Sequence, residues 1–130
     1  MRLLQNALIV AACSGLIPIT LNGRVSQKPT SPVAADEQSI ADGKQVYDRR
    51  CASCHGDRGK GDGMMGEELN PRPADLTEGN WKHGRTDSDI FMVIRNGVKN
   101  TGMRAYARRL TTRQMWDVVN YVRTLGPHTH

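Results

Sequence analysis

An all-α fold is predicted by three observations on the sequence. Apolar residues recur at the spacing of a helix face in segments 38–51, 86–97 and 111–126. Residues that cap or end helices bound these segments. No segment alternates apolar and polar residues as a half-buried strand does. The 130 residues suffice for one domain, but only 38% are hydrophobic and 5% aromatic. Such a thin core needs further apolar bulk, which small folds often take from a prosthetic group.

The first helix is predicted to begin near residue 38, with Ser39 as its N-cap, and to run to about Cys51. Its core-facing positions are Ile40, Gly43, Val46 and Tyr47. A glycine inside a helix costs about 1 kcal/mol relative to alanine. We therefore expect a packing reason for Gly43, such as the close approach of a second helix.

Two further helices have clear boundaries in the sequence. The first of them is capped by Thr86 and ends at Gly97, and its buried stripe comprises Ile90, Val93 and Ile94. The last helix is capped by Thr111, where Gln114 completes a capping box, and it stops before Gly126. Its apolar face comprises Met115, Val118, Val119, Val122 and Leu125.

The stretch 51–55 contains the most specific motif of the chain, Cys-Ala-Ser-Cys-His. Two cysteines separated by two residues and followed at once by histidine are the attachment signature of a c-type haem. Cys51 and Cys54 would each add to one vinyl group of the porphyrin, and His55 would bind the iron. A thioredoxin-type dithiol would require a βαβ pattern, and a zinc site would require a second ligand pair. The sequence has neither, so we expect one haem c per chain.

The domain organisation follows from composition. Residues 1–21 form a secretory signal peptide or an N-terminal membrane anchor, with a lipobox-like stretch ending at Cys13. Lipidation at Cys13, ordinary cleavage and an uncleaved anchor all remain open, and all three export the domain, as haem attachment requires. We assign 22–37 to a linker, 38–126 to the folded domain and 127–130 to a disordered tail. From residue 36 onward the sequence contains 15 Lys and Arg and 13 Asp and Glu, which gives a net charge of +2.

The motifs together resemble a class I (monohaem) cytochrome c. The resemblance covers about residues 38–126 and rests on Cys51–Gly56, the glycine-rich loop 57–66, Arg72–Thr77, Gly102-Met103 and the stretch 110–122. It implies a small all-α fold whose helices pack around one covalently attached haem. It also implies that the first and last helices cross at a small residue beside aromatic side chains, for which Gly43, Tyr47 and Tyr121 are suited.

The resemblance also bears on the iron ligands. The carbonyl of Pro71 or Pro73 is expected to accept a hydrogen bond from the second ring nitrogen of His55. Met103 lies in the loop before the last helix, which is the distal-ligand position in this family, although Arg104 stands where the family usually has proline. The competing sulfur donors are Met64, Met65, Met92 and Met115. His83 is the competitor for a second histidine ligand.

The function we expect is one-electron transfer by an exported, periplasmic protein that is soluble or tethered to the membrane. An iron bound by His55 and Met103 has no open position, so we expect an electron carrier, alone or in a dehydrogenase or oxidase complex, and not an enzyme. The alternative is a haem-based sensor or enzyme subunit in which a small molecule displaces Met103. The expected partners are redox proteins with acidic docking surfaces, and no nucleic acid. A run of four arginines would steer them: Arg104, Arg108, Arg109 and Arg113.

Overall fold

The computed structural model describes residues 28–127, which form four helices and no strand. The helices are α1 (Glu37–Arg50), α2 (Ala52–His55), α3 (Asp87–Asn96) and α4 (Thr112–Leu125). The prediction of an all-α fold is confirmed. Within this described range, no helix is both long and apolar enough to cross a membrane. The expectations for residues 1–21, including Cys13, for the first part of the linker (22–27) and for residues 128–130 of the tail lie outside the described residues.

The crossing of α1 and α4 is the main packing contact of the fold. A Cβ atom on Gly43 would overlap the carbonyl oxygen of Asp117 and lie 3.0 Å from the Cβ of Tyr121. The glycine therefore allows the two helix backbones to touch. Next to this contact, the rings of Tyr47 and Tyr121 meet edge to face with their centroids 5.1 Å apart. The expected crossing at a small residue with aromatic neighbours is confirmed.

The start of α1 differs from the prediction. Asp36, not Ser39, is the N-cap, and its carboxylate accepts a hydrogen bond of 2.8 Å from the backbone N–H of Ser39. Ser39 is fully buried, because its hydroxyl turns inward and donates to Asp117 at 2.6 Å and accepts from Asn120 at 2.8 Å. Asp36 and Ser39 are both residue types that cap helices. Because the Ser39 hydroxyl bonds to Asp117 and Asn120 on α4, Asp36 is the N-cap.

Helices α3 and α4 begin where the sequence predicts. Thr86 and Thr111 each form a reciprocal capping box with the residue three positions later, Asp89 and Gln114. Helix α3 ends at Gly97, whose φ of 69° lies in the left-handed region that favours glycine. Local hydrogen bonds specify all of these ends, which is why they could be predicted.

The core extends further around α4 than its predicted apolar face. Residues Met115–Val122 are all buried, because α1 and α3 both pack against this helix. Trp116, which the predicted face omitted, is only 1% exposed and stacks on Phe91 of α3 with the ring centroids 4.1 Å apart. A single apolar stripe therefore underestimates a helix that is covered on two sides.

Part of the segment assigned to the linker lies against the helices. The ammonium group of Lys28 is 2.5 Å from a carboxylate oxygen of Asp89, and Ser88 donates to the carbonyl of Pro29 at 2.6 Å. The Asn120 amide donates to the carbonyl of Ala34 at 3.1 Å. The ammonium group and the Thr86 cap together lower the pKa of Asp89 to about 2. Residues 28–36 thus contact α3 and α4.

Candidate haem site

Helix α2 brings the three residues of the motif onto a single helical turn. Cys51 is the residue that ends α1 and precedes α2, and Cys54 and His55 follow three and four positions later, so all three lie on one side of the turn. Both thiols are free and half-buried. Cys51 packs against the core, and burial raises the pKa of its thiol to about 12.

The backbone around α2 is held from two sides. The Tyr47 hydroxyl donates to the carbonyl of Gly56 at 2.7 Å and so joins α1 to the residue directly after His55. The glycine-rich loop returns over the same turn, with the N–H of Gly61 donating to the carbonyl of His55 at 2.8 Å. The attachment motif is therefore a well-supported element and not a loose loop.

His55 is oriented by a backbone carbonyl. Its Nδ1 lies 3.3 Å from the carbonyl oxygen of Ala74. Because a carbonyl only accepts, the proton belongs on Nδ1, and Nε2 keeps the lone pair that an iron ion requires. Burial lowers the pKa of this imidazole, and the Ala74 hydrogen bond opposes that shift. The neutral form suited to metal binding is thus favoured.

The expectation that Pro71 or Pro73 orients His55 was wrong. The carbonyl of Pro73 points toward Gly61, where a Cβ atom would lie only 2.5 Å from it. The next carbonyl, that of Ala74, consequently faces the imidazole. Sequence order alone could not distinguish carbonyls one residue apart.

Met103 lies in a loop that is tied to the end of α3. Its carbonyl accepts from the N–H of Val98 at 3.0 Å, and its own N–H donates to the hydroxyl of Thr101 at 3.1 Å. That hydroxyl donates in turn to the carbonyl of Val98 at 2.9 Å. A Cβ atom on Gly97 would lie 2.6 Å from the Met103 carbonyl, so the loop and the helix end are in direct contact. Met103 itself is half-buried against the core.

The competing donors lie in different surroundings. Met64 and Met65 are 86% and 56% exposed, whereas Met115 is 3% exposed within α4. Met92 is half-buried on α3, and His83 is exposed. Met103 is thus the methionine that combines partial burial with a fixed loop.

The residues present fit a haem c. Two half-buried thiols on one turn can form two thioether bonds, and an imidazole with a free Nε2 can bind iron. Among residues 28–127, no three His, Cys, Asp or Glu side chains gather as a metal site would require. Half-buried apolar side chains pack on the core: Cys51, Leu76, Trp81, Met92, Met103 and Tyr106.

Tyr106 is a residue of this site that sequence reasoning missed. Its hydroxyl donates to the carbonyl of Arg50 at 2.8 Å, and its N–H donates to the carbonyl of Ile94 at 3.0 Å. It therefore joins the loop that carries Met103 to the end of α1, directly beside Cys51. No local pattern indicates a contact between residues this far apart in sequence.

Three of the four arginines in the predicted basic cluster are free of ion pairs in the described residues. Arg104, Arg108 and Arg109 are exposed, and none forms an ion pair with another residue in the part of the chain that the structure describes. Arg113 belongs to a different environment, because its Nε donates to the buried carboxylate of Asp117 at 3.0 Å. We call Arg104, Arg108 and Arg109 the basic surface.

The chain is similar to known proteins in sequence and in structure. The cytochrome c family model matches residues 40–126. The chain is 32% identical over 102 residues to the cbb3-type cytochrome c oxidase subunit CcoP of Azospirillum brasilense, which covers 78% of this chain and 32% of the relative. It is 32% identical over 91 residues to subunit FixP of Azorhizobium caulinodans, covering 70% and 29% respectively. The chain thus spans about a third of the length of these curated relatives.

Solved structures show the same fold. A chain of the reducing HAO-like protein complex of Kuenenia stuttgartiensis matches with a TM-score of 0.70 and 30% identity, covering 75% of this chain and 48% of that chain. Cytochrome cL of Methylophaga aminisulfidivorans matches with a TM-score of 0.58 and 20% identity, covering 68% and 54%. At that identity, the second match bears on the fold alone.

Proposed function

The chain belongs to the cytochrome c family, and on this premise we propose that it transfers single electrons through a closed iron site bound by His55 and Met103. The family carries covalently bound haem c, and the single attachment motif corresponds to one haem per chain. The chain is accordingly an electron-transfer protein. The proposal concerns the ligand set and the partners.

Each residue of the proposed site has a separate task. Cys51 and Cys54 hold the haem covalently, so the cofactor does not exchange. His55 provides Nε2, while Ala74 keeps its proton on Nδ1. Met103 would provide a thioether as the second protein ligand of the iron. When bound, the haem supplies an iron that alternates between the ferrous and ferric states, and a methionine ligand raises its potential.

The observation that carries the proposal is the fixation of the Met103 loop. The Met103 carbonyl accepts a hydrogen bond from Val98, the Met103 N–H donates to the Thr101 hydroxyl, and Tyr106 ties the residues after Met103 to α1. A ligand held in this way resists displacement, as a carrier requires, whereas a sensor or enzyme requires the ligand to leave.

The proposed partners are redox proteins. The exposed arginines of the basic surface suit an acidic docking site and would speed association at low ionic strength. The curated relatives are subunits of cbb3-type oxidases, which favours a partner in a respiratory complex. We place the protein outside the cytoplasmic membrane, where this haem attachment takes place, either soluble or tethered.

Replacement of Met103 by alanine tests the proposal. Met103→Ala should open the sixth position, so that the reduced protein binds carbon monoxide readily and the reduction potential falls. The ferric protein should also lose the absorption signature of sulfur ligation. Optical titration with carbon monoxide and a potentiometric titration measure these changes.

Met92→Ala and Met64→Ala are the matched controls, and both should leave the spectrum, the potential and carbon monoxide binding unchanged. Rapid carbon monoxide binding by the unmodified reduced protein would mean that Met103 does not close the site, and the sensor or enzyme alternative would replace the carrier. An unchanged spectrum in Met103→Ala would place the ligand elsewhere, and His83→Ala would be measured next.

A further inference from the structure

Two adjacent methionines are the exposed large hydrophobic residues of the described chain. Met64 is 86% exposed and Met65 56% exposed. Single exposed apolar residues are normal, but a neighbouring pair of unbranched, polarisable side chains is typical of surfaces that bind other proteins. We call these two residues the methionine surface.

The backbone of the methionine surface is held against α2, the helix that carries Cys54 and His55. The N–H of Met65 donates to the carbonyl of Ser53 at 2.9 Å, and the N–H of Gly63 donates to the carbonyl of Cys54 at 3.2 Å. A Cβ atom on Gly63 would lie 2.5 Å from the Ser53 carbonyl, and one on Gly66 would overlap the Cys54 carbonyl. The exposed pair therefore rests directly on the backbone of α2.

The same loop also reaches the segment that carries Met103. A Cβ atom on Gly102 would lie 2.5 Å from Cδ1 of Leu69, so the end of the loop packs against the residue before Met103. The methionine surface thus belongs to a short stretch of chain that contacts both the attachment motif and the distal loop. A protein docked there approaches the haem, since the haem is bonded to one of these segments and, in the proposed function, ligated by the other.

The stretch 62–68, which follows Arg58 and Lys60, carries charges opposite to those of the basic surface. Asp62 precedes the methionine pair, and Glu67 and Glu68 follow it, with no Lys or Arg between them. All three are exposed, and none forms an ion pair within residues 28–127. An apolar centre with an acidic rim fits a partner whose contact surface is apolar and rimmed by Lys and Arg.

From this arrangement we infer that Met64 and Met65, with Asp62, Glu67 and Glu68, form a second docking surface, which binds a redox protein with an apolar, basic-rimmed face. The inference rests on the proposed electron-transfer function and extends it to partner choice. The acidic partner of the basic surface and the basic partner of the methionine surface would then be different proteins, so one can supply the electron and the other can remove it.

Two inorganic oxidants of opposite charge separate the two surfaces. Tris(phenanthroline)cobalt(III) is an apolar cation and resembles the inferred partner, whereas hexacyanoferrate(III) is an anion suited to the basic surface. In each reaction one electron leaves the ferrous protein and reduces the metal complex, and no bond or proton is exchanged. Stopped-flow spectroscopy of the haem-loaded protein at low ionic strength gives both second-order rate constants.

The double variant Met64→Gln with Met65→Gln should slow the cobalt reaction about threefold, and Glu67→Gln with Glu68→Gln should slow it about fivefold. The hexacyanoferrate reaction should not slow in either variant. The charge-matched control is Glu37→Gln with Glu78→Gln, two exposed acidic residues at the start of α1 and in the loop before α3. Reduction potentials measured for every variant exclude a change in driving force.

The outcomes distinguish the inference from the proposed function. If the control slows the cobalt reaction as much as the Glu67 and Glu68 variant does, only net charge matters and the second surface is rejected. Unchanged cobalt rates in the methionine variant would also reject it, while electron transfer itself would remain intact. Failure of the unmodified protein to reduce either oxidant would instead contradict the proposed function.

Discussion

At the scale of single residues, Gly43 determines how closely the two main helices pack. The position has no room for a Cβ atom beside the Asp117 carbonyl, and that neighbour is backbone that cannot rotate away. Gly43→Ala gains about 1 kcal/mol of helix propensity, but the overlap forces the helices apart. We expect a net loss of about 1–3 kcal/mol of unfolding free energy, measured by denaturant titration of the haem-loaded protein.

The matched control for this substitution is Gln45→Ala, an exposed position on the same helix. It changes helix propensity at a solvent-exposed position and should shift the unfolding free energy by no more than about 0.5 kcal/mol. A Gly43→Ala protein as stable as the unmodified one would show that the helices move apart at no cost, contrary to our account.

Other residue roles were only partly predictable. The cysteine pair and His55 follow from covalent chemistry, so their spacing alone indicates a haem. The partner of His55 and the cap of α1 depend on which of several similar groups points inward. The partner of His55 is the carbonyl of Ala74 and not that of a proline. The N-cap of α1 is Asp36 and not Ser39, because the Ser39 hydroxyl bonds to Asp117 on α4. Both outcomes depend on contacts between segments that are distant in the sequence.

At the scale of elements, the Tyr106 side chain links the Met103 loop to another helix. Tyr106 joins this loop to the end of α1 through its hydroxyl and to α3 through its backbone. Tyr106→Phe removes only the hydroxyl bond, a net contribution of about 1 kcal/mol. With the loop less firmly held, added imidazole should displace Met103, the proposed ligand, from ferric iron about five times more readily. Optical titration with imidazole measures this affinity.

Tyr121→Phe is the control for that experiment. Among residues 28–127, the hydroxyls of Tyr47 and Tyr106 form hydrogen bonds and that of Tyr121 does not, and Tyr121 lies on α4. Equal imidazole affinities in Tyr106→Phe and the unmodified protein would show that the hydroxyl bond does not position the ligand.

Elements differ in how far sequence specifies them. Helices α3 and α4 carry their own capping boxes and stop signals, so their ends were predicted correctly. The loops between helices have no comparable capping or stop signals in the sequence. Their shape comes from contacts such as that of Tyr106 with Arg50, between residues 56 positions apart.

At the scale of the whole molecule, the protein core is small. Among residues 28–127, twelve hydrophobic residues are buried, and ten more are partly buried and pack against them, including Cys51 and Met103. A domain with so small a core has a low free energy of unfolding, and a prosthetic group can supply additional apolar contacts. The fold and the haem are therefore expected to depend on each other.

Loss of both thioether bonds tests that dependence. The variant Cys51→Ala with Cys54→Ala cannot retain the haem covalently, so the half-buried side chains around the site should lose their main apolar neighbour. We expect a largely unfolded chain with much less helix by circular dichroism and no sharp thermal transition. Ser53→Ala, on the exposed side of the same turn, should keep both haem and fold. A cooperative transition with full helicity in the double variant would show that the twelve-residue core is sufficient by itself.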